Sequence, residues 1–174
     1  MKKNITTIPE INELLKLEKN AQSNGSGIDI NSLNGIWKLK EVWANNDNKI
    51  DGITSYALRA LSATLGIEKN YQSNNKSNKL DIINSIEVGM LSFKFIGKGS
   101  LENRQPILFF FFEKFEIKMG NLILLNKKLD IPSKKDMPFF NLIALGKGKT
   151  WLSARGKGGG LALWENDSKS NLNI

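Results

Sequence analysis

The sequence contains neither cysteine nor histidine, and these two absences prune most chemistry before any pattern is read. Without cysteine there is no disulfide, no thiolate nucleophile and no thiolate metal ligand. Without histidine the commonest general base and the imidazole ligand are gone too. What remains is carboxylate, Lys, Tyr or Ser chemistry, or a hard cation held by Asp and Glu oxygens, and none of these shows a clustered signature. The reading is therefore of a protein with no catalytic residues, no metal and no cofactor. Long apolar runs are also missing. The longest, residues 107–112, has the length of a strand and falls far short of the roughly 18 residues a membrane-spanning helix needs. Glu10, Glu13 and Lys16 interrupt what would have to be the apolar core of a signal peptide, so the expectation is a cytoplasmic chain that is not secreted.

What is present suits one folded domain. A length of 174 residues leaves little room for a second core, and 40% hydrophobic with 24% charged residues is ordinary for a globular chain. The net charge of +8 favours any polyanion, whether nucleic acid or an anionic lipid surface. Readers of nucleic acid interleave basic runs with exposed aromatics. Here the lysines are scattered between turns and strand edges, so no nucleic-acid partner is expected.

Along the chain, Ile11, Leu14, Leu15 and Leu17 lie at helical spacing after Pro9, which predicts a short amphipathic helix. Residues 21–28, with Asn24-Gly25 and Ser26-Gly27, read as a flexible break. Trp37, Leu39 and Trp43 then share one parity against lysines on the other, the pattern of a half-buried strand. Residues 55–66, with Tyr56, Leu58, Leu61 and Leu65, fit a short helix. Residues 70–78, rich in Asn, Ser and Lys, read as a surface loop. Strand-like runs follow at 79–95 (two strands), 106–119, 121–125, 139–145, 150–155 and 160–165. Many short strands with Gly and Asn turns predict a mainly β, antiparallel barrel or sandwich.

The run 107–115, Ile-Leu-Phe-Phe-Phe-Phe-Glu-Lys-Phe, is apolar at both parities and must bury both faces. One parity, Phe109, Phe111, Phe115 and Ile117, is expected to point inward, and Leu108, Phe110 and Phe112 outward. The outward set needs a cover: either the N-terminal helix, or a membrane or partner. Inward positions that would line a cavity are Trp37, Leu39, Leu91, Phe93, Phe95, Phe109, Phe111 and Phe115. A filled core and an open calyx both remain compatible with that set. Arg155 with the glycine-rich run 156–160 forms either a hairpin turn or an anion or headgroup contact. Gly148-Lys149-Thr150 lacks the earlier glycine of a phosphate-binding loop, since position 143 is Ile143.

Three segments carry a resemblance. Leu33-Asn34-Gly35-Ile36-Trp37-Lys38-Leu39 is similar to an opening strand whose tryptophan plugs the floor of a lipocalin-like barrel. Phe115-Glu116-Ile117-Lys118-Met119-Gly120 is similar to a central strand. The segment from Leu152 through Arg155-Gly156-Lys157-Gly158-Gly159-Gly160 to Leu163 is similar to a closing hairpin. In this order they resemble the plastid lipid-associated protein (fibrillin) family over about residues 30–167. An acidic residue common before that family's closing hairpin has no match here, so no role tied to it is carried over.

The resemblance implies an N-terminal helix and linker over 1–29, a lipocalin-like fibrillin barrel over 30–167 with one short helix after its first strand, and a tail over 168–174. It further implies non-catalytic binding of a lipid, carotenoid or quinone in the calyx, with peripheral association to thylakoid or anionic lipid surfaces. The alternative is a bilin lyase or pigment-delivery factor on a related barrel, for which Glu41 and Glu113 would be the inward carboxylates that meet pyrrole nitrogens.

Overall fold

The computed structural model describes residues 8–43, 64–70, 79–102 and 106–167. Its first element is helix α1 (Ile11–Asn24), where Leu14 is fully buried; Gly25, at φ 76°, ends it by returning its N–H to the Ala21 carbonyl. The helix thus runs four residues into the span expected to be flexible, because residues 21–24 still have backbone partners one turn back. A single turn, α2 (Ile30–Leu33), follows, its start fixed by a capping box in which Asp29 and Ser32 satisfy each other's backbone N–H.

Nine strands make up the rest of the described chain: β1 (Gly35–Trp43), β2 (Thr64–Lys69), β3 (Lys79–Val88), β4 (Leu91–Glu102), β5 (Ile107–Met119), β6 (Leu122–Lys128), β7 (Phe139–Leu145), β8 (Trp151–Gly156) and β9 (Leu161–Asn166). Every pairing is antiparallel. The order β1-β2-β3-β4-β5-β7-β8-β9 closes on itself through β9 and β1, so eight strands form a ring of hydrogen bonds. The ninth, β6, lies on the same edge of β5 as β7 but further along it. The hairpins β3–β4 and β5–β6 therefore project past the ring side by side. Their two-residue turns at Gly89 (φ 60°) and Gly120 (φ 55°) are tied together by the Gly120 N–H to the Met90 carbonyl.

Two apolar clusters hold this arrangement. Inside the ring lie Trp37, Leu65, Ile67, Leu80, Ile82, Phe110, Phe112, Phe140 and Trp164, with Ile28 and Leu33 of the α2 region closing one end. Trp37 donates its indole N–H to the Leu33 carbonyl, 2.9 Å away, fixing it against that end. Outside the ring, Leu14 of α1 packs on Ile143, Trp151, Leu161 and Leu163. At Gly97 a Cβ would stand 1.9 Å from the Phe111 carbonyl oxygen; the missing side chain lets β4 and β5 curl together there.

The central phenylalanines take the opposite sides from those expected. Leu108, Phe110 and Phe112 face the ring interior, and Phe110 and Phe112 are each 2% exposed, while Phe109 and Phe111 face outward and are half-buried. The reason is a bulge: Ile96 pairs with Lys114 but Gly97 pairs with Phe112, leaving Glu113 as the extra residue. Interior positions on β5 are even-numbered before it and odd-numbered after it, so Phe115 and Ile117 keep the interior side and one parity cannot be carried through. Helix α1 accordingly does not cover Leu108, Phe110 and Phe112; it covers β7, β8 and β9. The short helix expected over 55–66 lies mostly outside the described residues, and its last three positions, Thr64, Leu65 and Gly66, belong to strand β2. Residues 71–78 and the tail 168–174 also lie outside them. Among the described residues, no helix is long and apolar enough to cross a membrane.

Candidate functional site

An unbroken line of rings runs through the interior. Trp164 meets Phe140 edge-on at 5.4 Å between centroids, Phe140 stacks on Phe110 at 4.9 Å, Phe110 meets Phe112 at 5.8 Å, Phe112 meets Phe95 at 5.5 Å, and Phe95 meets Phe115 at 4.6 Å. Burial falls along that line: Trp164, Phe140, Phe110 and Phe112 are buried, whereas Phe95 and Phe115 are half-buried. One end of the ring is thus a filled core. The other opens toward the projecting hairpins.

Cross-strand register extends the same face outward. Phe95 pairs with Phe115, Phe93 with Ile117 and Leu91 with Met119, while Ile117 pairs with Leu125 and Met119 with Leu122. These side chains share the ring-facing side of the sheet, and their exposure rises toward the tips, where Leu122 is 59% and Val88 61% exposed. On the opposite side of the hairpins stand Lys94, Lys114, Lys118 and Lys128 around Glu116. Glu116 is buried between Lys114 at 2.5 Å and Lys118 at 3.3 Å. The Lys114 hydrogen bond holds its carboxyl below the usual value, with Lys118 adding to the effect and burial opposing it.

Of the expected cavity residues, Trp37, Leu39 and Phe95 belong to or pack on the interior cluster. Leu91, Phe93 and Phe115 lie on its continuation along the hairpins. Phe109 and Phe111 do not: they line a groove of about 450 Å³ on the outer face of the sheet, together with Lys79, Lys98, Ser100 and Met137. Arg155 faces neither place. Its guanidinium donates to both carboxylate oxygens of Glu18 on α1 and to the Gly159 carbonyl at 2.5 Å. Glu18 thereby raises its already high pKa against the opposing effect of burial. The arginine closes the β8–β9 turn and clamps the helix, beside a hollow of about 170 Å³. Glu41 and Glu113, expected at inward parity, are corrected as well. Glu41 is exposed next to the β1 bulge, and Glu113 is the bulged residue of β5, 3.9 Å from Lys98. No pair of inward carboxylates forms from them.

Sequence reasoning missed Asn84. It faces the interior from β3, paired with Leu65 and Phe95, is 1% exposed, and neither its Nδ2 nor its Oδ1 has a hydrogen-bond partner. Alternation along 80–86, apolar at even positions apart from Asn84, was the signal that could have found it.

Compared with known proteins, the chain matches no family model, no curated protein and no solved structure.

Proposed function

We propose that this chain is a lipocalin-like barrel of the fibrillin type. In this reading it binds an apolar small molecule, a lipid, carotenoid or quinone, at the open end of the ring, and catalyses no reaction. The observation that carries the reading is the ring-facing side of the projecting hairpins. There Leu91, Phe93, Ile117, Met119, Leu122 and Leu125 continue the interior aromatic line without being packed away. Apolar area of that kind loses about 25 cal/mol per Å² of favourable burial while it faces water. A contiguous patch of it marks a place where something binds. The lysines on the reverse side of the same hairpins favour an anionic lipid surface as the place where the ligand is met.

The test is native mass spectrometry, with organic extraction, of the protein purified from a photosynthetic host. A stoichiometric lipid, carotenoid or quinone is expected, and it should be lost in a Phe93→Ser, Ile117→Ser variant that remains folded. A bound bilin would replace this reading with pigment delivery. A reproducibly empty protein would overturn it.

A further inference from the structure

Asn84 sits in an apolar setting, 1% exposed. Its neighbours on the interior face are Ile82 and Ile86 along β3, Leu65 across β2 and Phe95 across β4. An amide buried in such surroundings with no partner costs about 1–3 kcal/mol relative to one that is satisfied, and nearly all buried side-chain amides in folded proteins have partners. The unpaired atoms lie on the same face as Phe95, Phe93 and Phe115, at the point where the packed interior gives way to the open end.

We infer that Asn84 is the polar anchor of the ligand site, and that the ligand is an apolar molecule carrying a hydroxyl group. The inference rests on the binding reading above and narrows its ligand class. Both halves of the amide need a partner: Nδ2 donates and Oδ1 accepts. A keto, ester or ether oxygen only accepts and would leave Oδ1 unserved. A hydroxyl accepts from Nδ2 and donates to Oδ1, so one small group on an otherwise apolar body gives each half of the amide a partner. Asn84 then discriminates by hydrogen bonding, which an apolar wall cannot do.

The probes are 2-naphthol and 2-methylnaphthalene, similar in size and differing in the hydroxyl, with binding measured by equilibrium dialysis at neutral pH. The quantity read is the ratio of the two affinities, compared between the natural protein and Asn84→Leu, so that the general preference of each probe for water cancels. The ratio is expected to favour the naphthol about fivefold more in the natural protein, the size of one net hydrogen bond. The ligand-free Asn84→Leu protein should also melt several degrees higher, because the unpaired amide is gone. Asn84→Ala provides the same comparison if leucine overfills the site. An unchanged ratio in both variants, as when a trapped water serves the amide, overturns the anchor while leaving the binding reading intact. Failure of both probes to bind the natural protein removes the reading and the anchor together.

Discussion

The closed end of the ring and its projecting hairpins use the same residue types for opposite ends. At the closed end Trp37, Phe110, Phe140 and Trp164 are buried, and Trp37 is pinned to the Leu33 carbonyl. On the hairpins Leu91, Phe93 and Ile117 lie on the same ring-facing side of the sheet yet are only half-buried, and Leu122 and Leu125 beyond them are 59% and 43% exposed. The difference is one of neighbours. Curvature and closure surround the first set on all sides, whereas β6 has no strand on its outer edge among the described residues, so nothing there closes over the second. Stability is therefore expected to concentrate at one end and binding at the other.

That contrast can be broken by substitution, and the largest effect should come from the closed end. Phe110→Ala removes the ring that joins Phe140 to Phe112 and should cost about 3–5 kcal/mol in urea unfolding. A loss under about 1 kcal/mol would mean that the interior is not the foundation of the fold. Gly97→Ala forces a methyl onto the Phe111 carbonyl and should cost about 3 kcal/mol, since backbone rather than a flexible side chain must move. A neutral result would show that β4 can draw away from β5 at the bulge at little cost.

Glu18→Gln separates helix from ring. With the Glu18 and Arg155 side chains 12% and 26% exposed, the pair is neither fully buried nor a surface pair, and a cost of about 2 kcal/mol is expected. Limited proteolysis should then cut within residues 11–24 while the strands stay protected; an α1 that remains resistant would mean that Leu14 alone holds it.

Smaller still is the effect of the buried carboxylate on the hairpins. The Glu116 pKa is lowered on folding, so its contribution is present above the ordinary carboxylate range and lost as pH falls through the lowered value. Glu116→Gln should cost about half a kcal/mol at pH 7, the partners being partly exposed lysines, and should flatten the stability loss on the acid side. An unaltered acid limb would assign that loss to other carboxylates. Smallest of all, Leu125→Ser should change stability by no more than about 0.5 kcal/mol. It should nonetheless reduce uptake of an apolar probe, and a large destabilisation would show that the hairpin face belongs to the core after all.

Legibility in the sequence followed the range of the signal. Strand β7 is expected at 139–145 and found there, because Gly146 and the polar 133–136 stretch punctuate it locally. Strand β2 reads as the end of a helix, since Thr-Leu-Gly-Ile has no local pattern strong enough to outweigh the leucines before it; its pairing with β1 and β3 decides it. The sides of Phe109 to Phe112 were not legible, because six consecutive apolar residues carry no alternation and the bulge that sets the phase arises only from pairing with β4. Arg155 stood out beside its glycines, but its partner Glu18 lies 137 positions away and no local rule connects them.

The sequence by itself determined that the chain is mainly β with a short amphipathic helix ahead of the strands, since periodicity and turn residues are properties of neighbours along the chain. It also determined, through the absence of cysteine and histidine, which chemistries are closed to it. Only the tertiary structure decided which phenylalanines are inside, which strands α1 covers, that Arg155 is a clamp, and that Asn84 stands unpaired among apolar side chains. Each of these depends on which residues from distant strands are brought together, and one bulge is enough to exchange the inside of a strand for its outside.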